Sequence, residues 1–153
     1  MNSNVEASKR KVIGADEATK LIEPGWNRLL SLLEVIPEDL AAEQGVVGDW
    51  SIDLVIGHIA FWERHAAQVI RMEKTGEAIA PIDVDALNAQ AAEEDRKRAH
   101  RDLLESLQAD HELLLATLNE AQTVVRDRLG GDTWDHYPEH IEQIEAWRAS
   151  KGI

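Results

Sequence analysis

The chain has 153 residues, of which 44% are hydrophobic and 29% charged, as expected for one soluble globular domain. Its formal net charge of -13 at pH 7 disfavours nucleic acid and anionic membrane surfaces as partners. No cysteine is present, which excludes disulfides and thiolate metal ligands, so histidine and carboxylate side chains would have to hold any metal ion.

The N-terminal region is polar and mixed in charge. Residues 1–14 are predicted as a tail, and residues 15–153 as a single domain. The first twenty residues contain no apolar stretch of the length that a secretory signal requires, and no apolar run approaches the roughly 20 residues that span a bilayer. We therefore expect a cytoplasmic protein that does not enter membranes.

The first predicted helix begins at about Asp16 and ends before Pro37. Its apolar residues recur at three- and four-residue spacing, which is typical of an amphipathic helix. Pro24 lies inside this pattern, and because proline removes a backbone hydrogen bond, we expect a kink or a restart there. The residues from 38 to 49 are predicted as a connection.

The second predicted helix has the most regular pattern. Ser51 is placed to cap its N-terminus, and Asp53 lies in the first turn, where the helix dipole favours negative charge. The helix is predicted to run to about Lys74. Residues 76–85 (GEAIAPIDVD) are longer than a tight antiparallel turn, which favours a crossover across the end of a bundle.

The rest of the chain predicts two further principal helices. Residues 84–121 are nearly continuously helix-forming, with a polar stretch at which this helix could be split in two. Residues 122–133 are predicted as a loop, followed by a last helix through about Ser150. The candidate caps of that helix are Asp132, Thr133 and Asp135. With no strand pattern evident, the prediction is an all-α four-helix bundle.

Two histidines lie four residues apart on the last predicted helix. This spacing places the rings of His136 and His140 on one face, one turn apart. Pro138 between them is compatible with a helix only in its first turn, so the pair is expected at one end of the bundle. On its own the pair fits a metal-binding pair and two partly buried polar residues equally well.

A third histidine changes this balance. His58 lies on the apolar stripe of the second helix, one turn before Trp62, so its ring must point inward. A lone inward histidine is more often a hydrogen-bonded core residue than a ligand. Three neutral imidazoles from two helices, however, form a set that Zn²⁺, Ni²⁺ or Fe²⁺ accepts with positions left for water or substrate. We therefore predict a metal site at His58, His136 and His140.

The remaining histidines are interpreted differently. His65 is about 10.5 Å of helix rise from His58, too far to bind the same ion, and is predicted to be structural or to line a pocket. His111 is interpreted as a core residue in preference to a fourth ligand or a group that orients one. His100 falls in a polar stretch and is expected to be exposed.

Acidic and other polar residues near the histidines carry little information. Asp135, Glu139 and Glu63 are placed to orient ligands, but in a chain with 29 acids a neighbouring carboxylate is expected by chance. No catalytic residue is assigned beyond the metal ligands. Tyr137 and Asn88 are the polar side chains to be tested next.

Three motifs resemble those of a known family. Residues 48–63 (GDWSIDLVIGHIAFWE) resemble the second-helix signature of DinB/YfiT-like proteins, with a Trp-Ser pair, an inward histidine seven residues after the serine, and then Trp-Glu. LNAQ at 87–90 and HYPEHIEQIEAW at 136–147 resemble later motifs of the ClbS/DfsB-type branch. The resemblance covers about residues 20–149. One departure is Asp53 and Leu54, where the family often places Lys and an acid.

The resemblance implies a fold and a class of function. The fold is an up-down-down-up four-helix bundle with a long crossover, commonly a homodimer, with a divalent metal held at one end by His58, His136 and His140. Relatives include thiol-dependent S-transferases, a mycothiol-dependent isomerase and a hydrolase of a genotoxic metabolite. The implied function is a divalent-metal-dependent thiol S-transferase or hydrolase acting on a small electrophilic metabolite, with a low-molecular-weight thiol as candidate co-substrate.

A non-catalytic function is the alternative. The chain has five tryptophans but only one Phe and one Tyr, so tryptophan is the dominant aromatic residue. Four of them, Trp50, Trp62, Trp134 and Trp147, lie close in sequence to the predicted site. A protein of the same fold could sequester a hydrophobic or electrophilic small molecule in a tryptophan-lined pocket, without a stoichiometric metal.

Overall fold

Four long helices account for most of the computed structural model, which describes residues 11–153. They are α1 (Ala15–Glu34), α3 (Ile52–Thr75), α5 (His100–Ala121) and α7 (Tyr137–Lys151). Three shorter helices are α2 (Glu38–Ala41), α4 (Val84–Asp95) and α6 (Arg126–Asp132). Two strands, β1 (Val12–Gly14) and β2 (Thr123–Val125), pair antiparallel. No helix in this described part is both long and apolar enough to cross a membrane.

Local sequence signals account for both ends of α3. The Ser51 hydroxyl accepts a hydrogen bond from the backbone N–H of Leu54 at 3.2 Å, as the sequence predicts. Gly76 ends the helix with a φ of 75°, a left-handed conformation that favours glycine. The helix α1 continues through Pro24 as one element, so it does not restart there.

Residues 122–133 do not form the predicted loop. They contain β2 and α6, and β2 pairs with β1 inside the segment predicted as a tail. The expectation of no strands was therefore wrong, because three-residue strands are too short to show an alternating pattern. The backbone N–H of Ala15 donates to the Gln122 carbonyl at 2.9 Å, which brings the two strands together. Residues 1–10 of the predicted tail lie outside the described residues.

The start of the last helix also differs from the prediction. None of Asp132, Thr133 and Asp135 caps α7. Its N-cap residue is His136, whose side chain makes no capping hydrogen bond to the helix backbone. Thr133 instead donates its hydroxyl hydrogen to the Leu129 carbonyl at 2.7 Å. The helix ends at Lys151, one residue beyond the predicted end.

Helices α3 and α5 run parallel to each other. His100 at the start of α5 contacts Asp53 at the start of α3, and His111 contacts Glu63 about three turns further along both helices. These two helices make the most extensive packing interface of the bundle.

Helix α4 lies in the crossover between them. Trp62 of α3 donates to Asn88 near the start of α4, whereas Asp95 at the end of α4 lies against Gly57. Because the contacts move toward the start of α3 as α4 proceeds, α4 returns the chain antiparallel to α3. The predicted split of the third long helix and the predicted crossover are both confirmed.

Helices α1 and α7 complete the bundle. Trp26 of α1 stacks on His111, and Ala15 meets Gln122 beyond the end of α5, so α1 is antiparallel to α5. Trp26 packs near Tyr137, and Arg28 pairs with Glu145 further along α7, so α1 and α7 are parallel. The order is up-down-down-up, and the predicted fold class is confirmed. Fully buried side chains fill the centre: Ile22, Leu29, Leu32, Ile52, Ile56, Ile59, Leu103, Leu107, Leu114 and Leu118.

Candidate metal centre

The three histidines predicted as ligands meet at one end of the bundle. The Nε2 atom of His136 lies 3.0 Å from Nε2 of His58 and 2.8 Å from Nε2 of His140. One ligand nitrogen from each ring lies within 4.8 Å of the others. His58 comes from the second turn of α3, His136 from the N-cap of α7 and His140 from one turn further on. The antiparallel contact of α3 with α7 therefore brings the rings together.

The spacing of these nitrogens fits a single divalent ion. Donors bound at about 2.1 Å lie about 3.0 Å apart at adjacent positions of an octahedron and about 3.4 Å apart in a tetrahedron. Two of the three nitrogen–nitrogen distances, 3.0 and 2.8 Å, are close to the octahedral value, and all three are within 4.8 Å. Three imidazoles on one side of an ion leave its other positions open.

Burial keeps the three rings neutral, which is the form that binds metals. Burial, then the neighbouring His140 and His136, lower the pKa of His58 to about 3 against the opposing effect of Asn88. Burial, then His140, lowers the pKa of His136 to about 4. The pKa of His140 is lowered by burial against the opposing effect of Gln143. At neutral pH no proton competes with a cation.

The second ring nitrogens differ in their surroundings. His140 Nδ1 lies 2.8 Å from Oε1 of Gln143, and this contact favours the tautomer that leaves Nε2 free to coordinate. His136 Nδ1 is buried and forms no hydrogen bond of good geometry among residues 11–153, although the Asp132 backbone lies near enough to counter the lowering of its pKa. An amide thus orients one ligand where the sequence suggested carboxylates.

A cavity of about 440 Å³ opens beside the three rings. Its apolar wall consists of Trp50, Trp62, Val47 and Val84. Its polar wall includes Asn88, Asp132, Glu139 and Gln143. Trp134 and Trp147 are not among the lining residues, so two of the four tryptophans predicted near the site line the cavity. The volume suits a small molecule in contact with the histidines.

A buried hydrogen-bond network links three helices beside the histidine cluster. His111 Nδ1 lies 2.6 Å from Oε1 of Glu63, and the Tyr137 hydroxyl donates to the same oxygen at 2.8 Å. Burial raises the pKa of Glu63, which is fully buried, and His111 opposes this. The ring of Trp26 stacks on His111 at 3.5 Å. His111 is therefore a core residue, as predicted, and Tyr137 anchors α7 and does not line the cavity.

The comparisons with known proteins identify the family. A family model described as the DinB superfamily matches residues 21–147, from α1 to α7 and including all three histidines. The chain belongs to the DinB superfamily. A crystal structure of an uncharacterised protein from Escherichia coli UTI89 has the same fold, with a TM-score of 0.75 and 12% sequence identity over 92% of this chain and 95% of that chain. No curated protein matches.

Two other histidines of this DinB-superfamily chain have structural contacts. His65 Nδ1 lies 3.5 Å from Asp132 Oδ2, and its ring packs edge-on against Trp62. His100 is partly buried, 2.6 Å from Asp53, so the expectation of exposure was wrong. The polar stretch around it predicts solvent, but the parallel packing of α5 on α3 places His100 beside the first turn of α3.

Proposed function

We propose that this DinB-superfamily protein is a divalent-metal-dependent enzyme, a hydrolase or thiol S-transferase, that acts on a small electrophilic metabolite. His58, His136 and His140 would hold one Zn²⁺, Ni²⁺ or Fe²⁺ ion. The observation that carries the proposal is the convergence of three neutral, largely buried imidazoles at the wall of a cavity of about 440 Å³. When bound, a divalent ion supplies Lewis acidity that lowers the pKa of water or a thiol and polarises the substrate.

The residues around the histidines have separate roles in this proposal. The three rings would hold the ion, and the cavity that they line would admit the reactants. Trp50 and Trp62 form an apolar wall on which the substrate would pack. Gln143 holds the His140 ring in its coordinating orientation.

The His136→Ala/His140→Ala double variant tests the metal site. We expect untagged protein to contain about one equivalent of divalent metal, and the double variant to lose it, since one remaining imidazole cannot chelate an ion. Elemental analysis by plasma mass spectrometry measures this.

His65→Ala is the matched control, because His65 is a partly buried histidine on the same helix as His58 that does not reach the cluster. It should retain the metal. Full retention of metal by the folded double variant would refute the proposal.

A non-catalytic binding protein is the second candidate. The observation in its favour is that Trp50 and Trp62 line the cavity, as expected for a site that sequesters a flat apolar compound. This function requires no stoichiometric metal, so the same elemental analysis separates the two candidates. The homodimer, the thiol co-substrate, the ClbS/DfsB-type branch and the cytoplasmic location stay predictions.

A further inference from the structure

The cavity beside the histidines has a one-sided charge. Asp132 and Glu139 are its two carboxylate-bearing lining residues. No lysine or arginine lines it in the part of the chain that the structure describes. The formal net charge of the chain is -13, so the wider field has the same sign. An anionic ligand group placed away from the histidines would meet no basic partner.

Asn88 contributes a hydrogen-bond donor whose orientation is set by its neighbours. Its Oδ1 accepts from the indole N–H of Trp62 at 2.8 Å. Because this bond turns Oδ1 toward the Trp62 indole, the Nδ2 hydrogens are left to donate to a ligand oxygen in the cavity.

We propose that this cavity selects substrates that are uncharged or positively charged, carry an apolar or aromatic group, and present an oxygen that accepts a hydrogen bond. The apolar group packs on Trp50 and Trp62, the oxygen accepts from Asn88, and a cationic group is stabilised by Glu139 and Asp132. Compounds with carboxylate or phosphate groups away from the reacting atom, glutathione among them, bind more weakly. The inference rests on the proposed function where it calls the bound compounds substrates. The charge preference of the cavity does not depend on that function.

Three probes that share a benzyl group and differ in charge test the preference without the metal. They are benzylammonium, benzyl alcohol and phenylacetate, titrated into metal-free protein. Binding is followed through the indole N–H signals of Trp50 and Trp62 in ¹H–¹⁵N NMR spectra. We expect benzylammonium and benzyl alcohol to shift these signals and phenylacetate to bind at least about fivefold more weakly than benzylammonium, the effect of a partly exposed charge pair.

Three small thiols test the same preference in the loaded protein. In the Co²⁺ form, 2-mercaptoethylamine, 2-mercaptoethanol and 3-mercaptopropionate would each bind the ion through sulfur, and their second groups differ in charge. Thiolate-to-cobalt absorption reports their binding. The amine should bind at least about fivefold more tightly than the carboxylate.

The Glu139→Gln variant tests whether the charge preference arises from the cavity, and Glu142→Gln is the matched control. Both residues are exposed on α7, but only Glu139 lines the cavity. The ratio of affinities for benzylammonium and phenylacetate should fall at least about twofold in Glu139→Gln and stay unchanged in Glu142→Gln.

Three results would overturn the inference: equal or tighter binding of the carboxylate probe in either form, an equal loss of preference in both variants, or no binding of any benzyl probe. If the native protein contained no bound metal, the proposed metal-dependent reaction would be refuted. The charge preference measured on metal-free protein would still stand.

Discussion

At Gly25, helix α1 packs against the Tyr137 side chain at the start of α7. A Cβ atom at this position would lie 2.7 Å from Cδ2 of Tyr137, closer than two carbon atoms can pack. The Tyr137 ring cannot easily withdraw, because its hydroxyl is hydrogen-bonded to the buried Glu63. Tyr137 directly follows His136, so this contact lies next to one of the candidate metal ligands.

Gly25→Ala should therefore destabilise the protein. The added methyl group forces a shift of Tyr137 or of the helix, at a cost of about 1–3 kcal/mol in the free energy of unfolding. Urea denaturation followed by circular dichroism measures the change.

Gly131→Ala is the control for this substitution. Gly131 lies in α6, and apart from its chain neighbours and the backbone of its own helix, no described heavy atom comes within 4 Å of an added Cβ. Alanine there should be neutral or stabilise by up to about 1 kcal/mol, from helix propensity alone. Equal effects of the two substitutions would contradict the packing argument.

At the scale of the element, α3 carries the largest share of the candidate site. It supplies His58, the cavity-lining Trp62 and the buried Glu63, and its N-terminus is closed by Ser51. Ser51 is 5% exposed, so water cannot easily replace its hydroxyl as the partner of the Leu54 N–H. The cap therefore stabilises the helix on which three functional positions depend.

Ser51→Ala should lower the free energy of unfolding by about 1 kcal/mol, through the lost cap. Thermal and urea denaturation measure the difference. Ser31→Ala is the matched control, because Ser31 is exposed within α1 and bonds only the Asn27 carbonyl of its own helix. Its effect should stay within about 0.5 kcal/mol, and a similar loss in both variants would refute the capping role.

At the scale of the whole molecule, the buried histidines link stability to pH. The pKa of His58 is lowered from its usual 6.5 to about 3, and that of His136 to about 4. Between these values and 6.5 the unfolded chain binds more protons than the native one. Stability is therefore fully present above pH 6.5 and is lost as pH falls, at up to about 1.4 kcal/mol per pH unit for each ring. The raised pKa of Glu63 has the opposite sign.

The pH dependence can be measured as a difference between two proteins. Between pH 7 and pH 5, metal-free wild type should lose about 2 kcal/mol more of its free energy of unfolding than His58→Gln, because the variant lacks one buried ring. The comparison cancels the contribution of Glu63, which both proteins retain. Parallel pH profiles for the two proteins would show that His58 is not held neutral by the fold.

Local patterns were sufficient to predict much of this architecture. Helical spacing of apolar residues identified all four long helices, and the serine before α3 predicted its cap. The inward position of His58 and the four-residue spacing of His136 and His140 singled out the three rings that meet. These features depend on residues a few positions apart, where backbone geometry alone decides which side chains share a face.

Long-range packing decided the rest. The pairing of β1 with β2, the contact of His100 with Asp53 and the choice of Trp50 and Trp62 as cavity residues all join segments far apart in the chain. The same holds for Glu63. In a chain with many acids the sequence could not single it out, although it lies 2.6 Å from the buried His111. Such contacts depend on the order and direction in which helices pack, and these are set by the whole core and not by any local period.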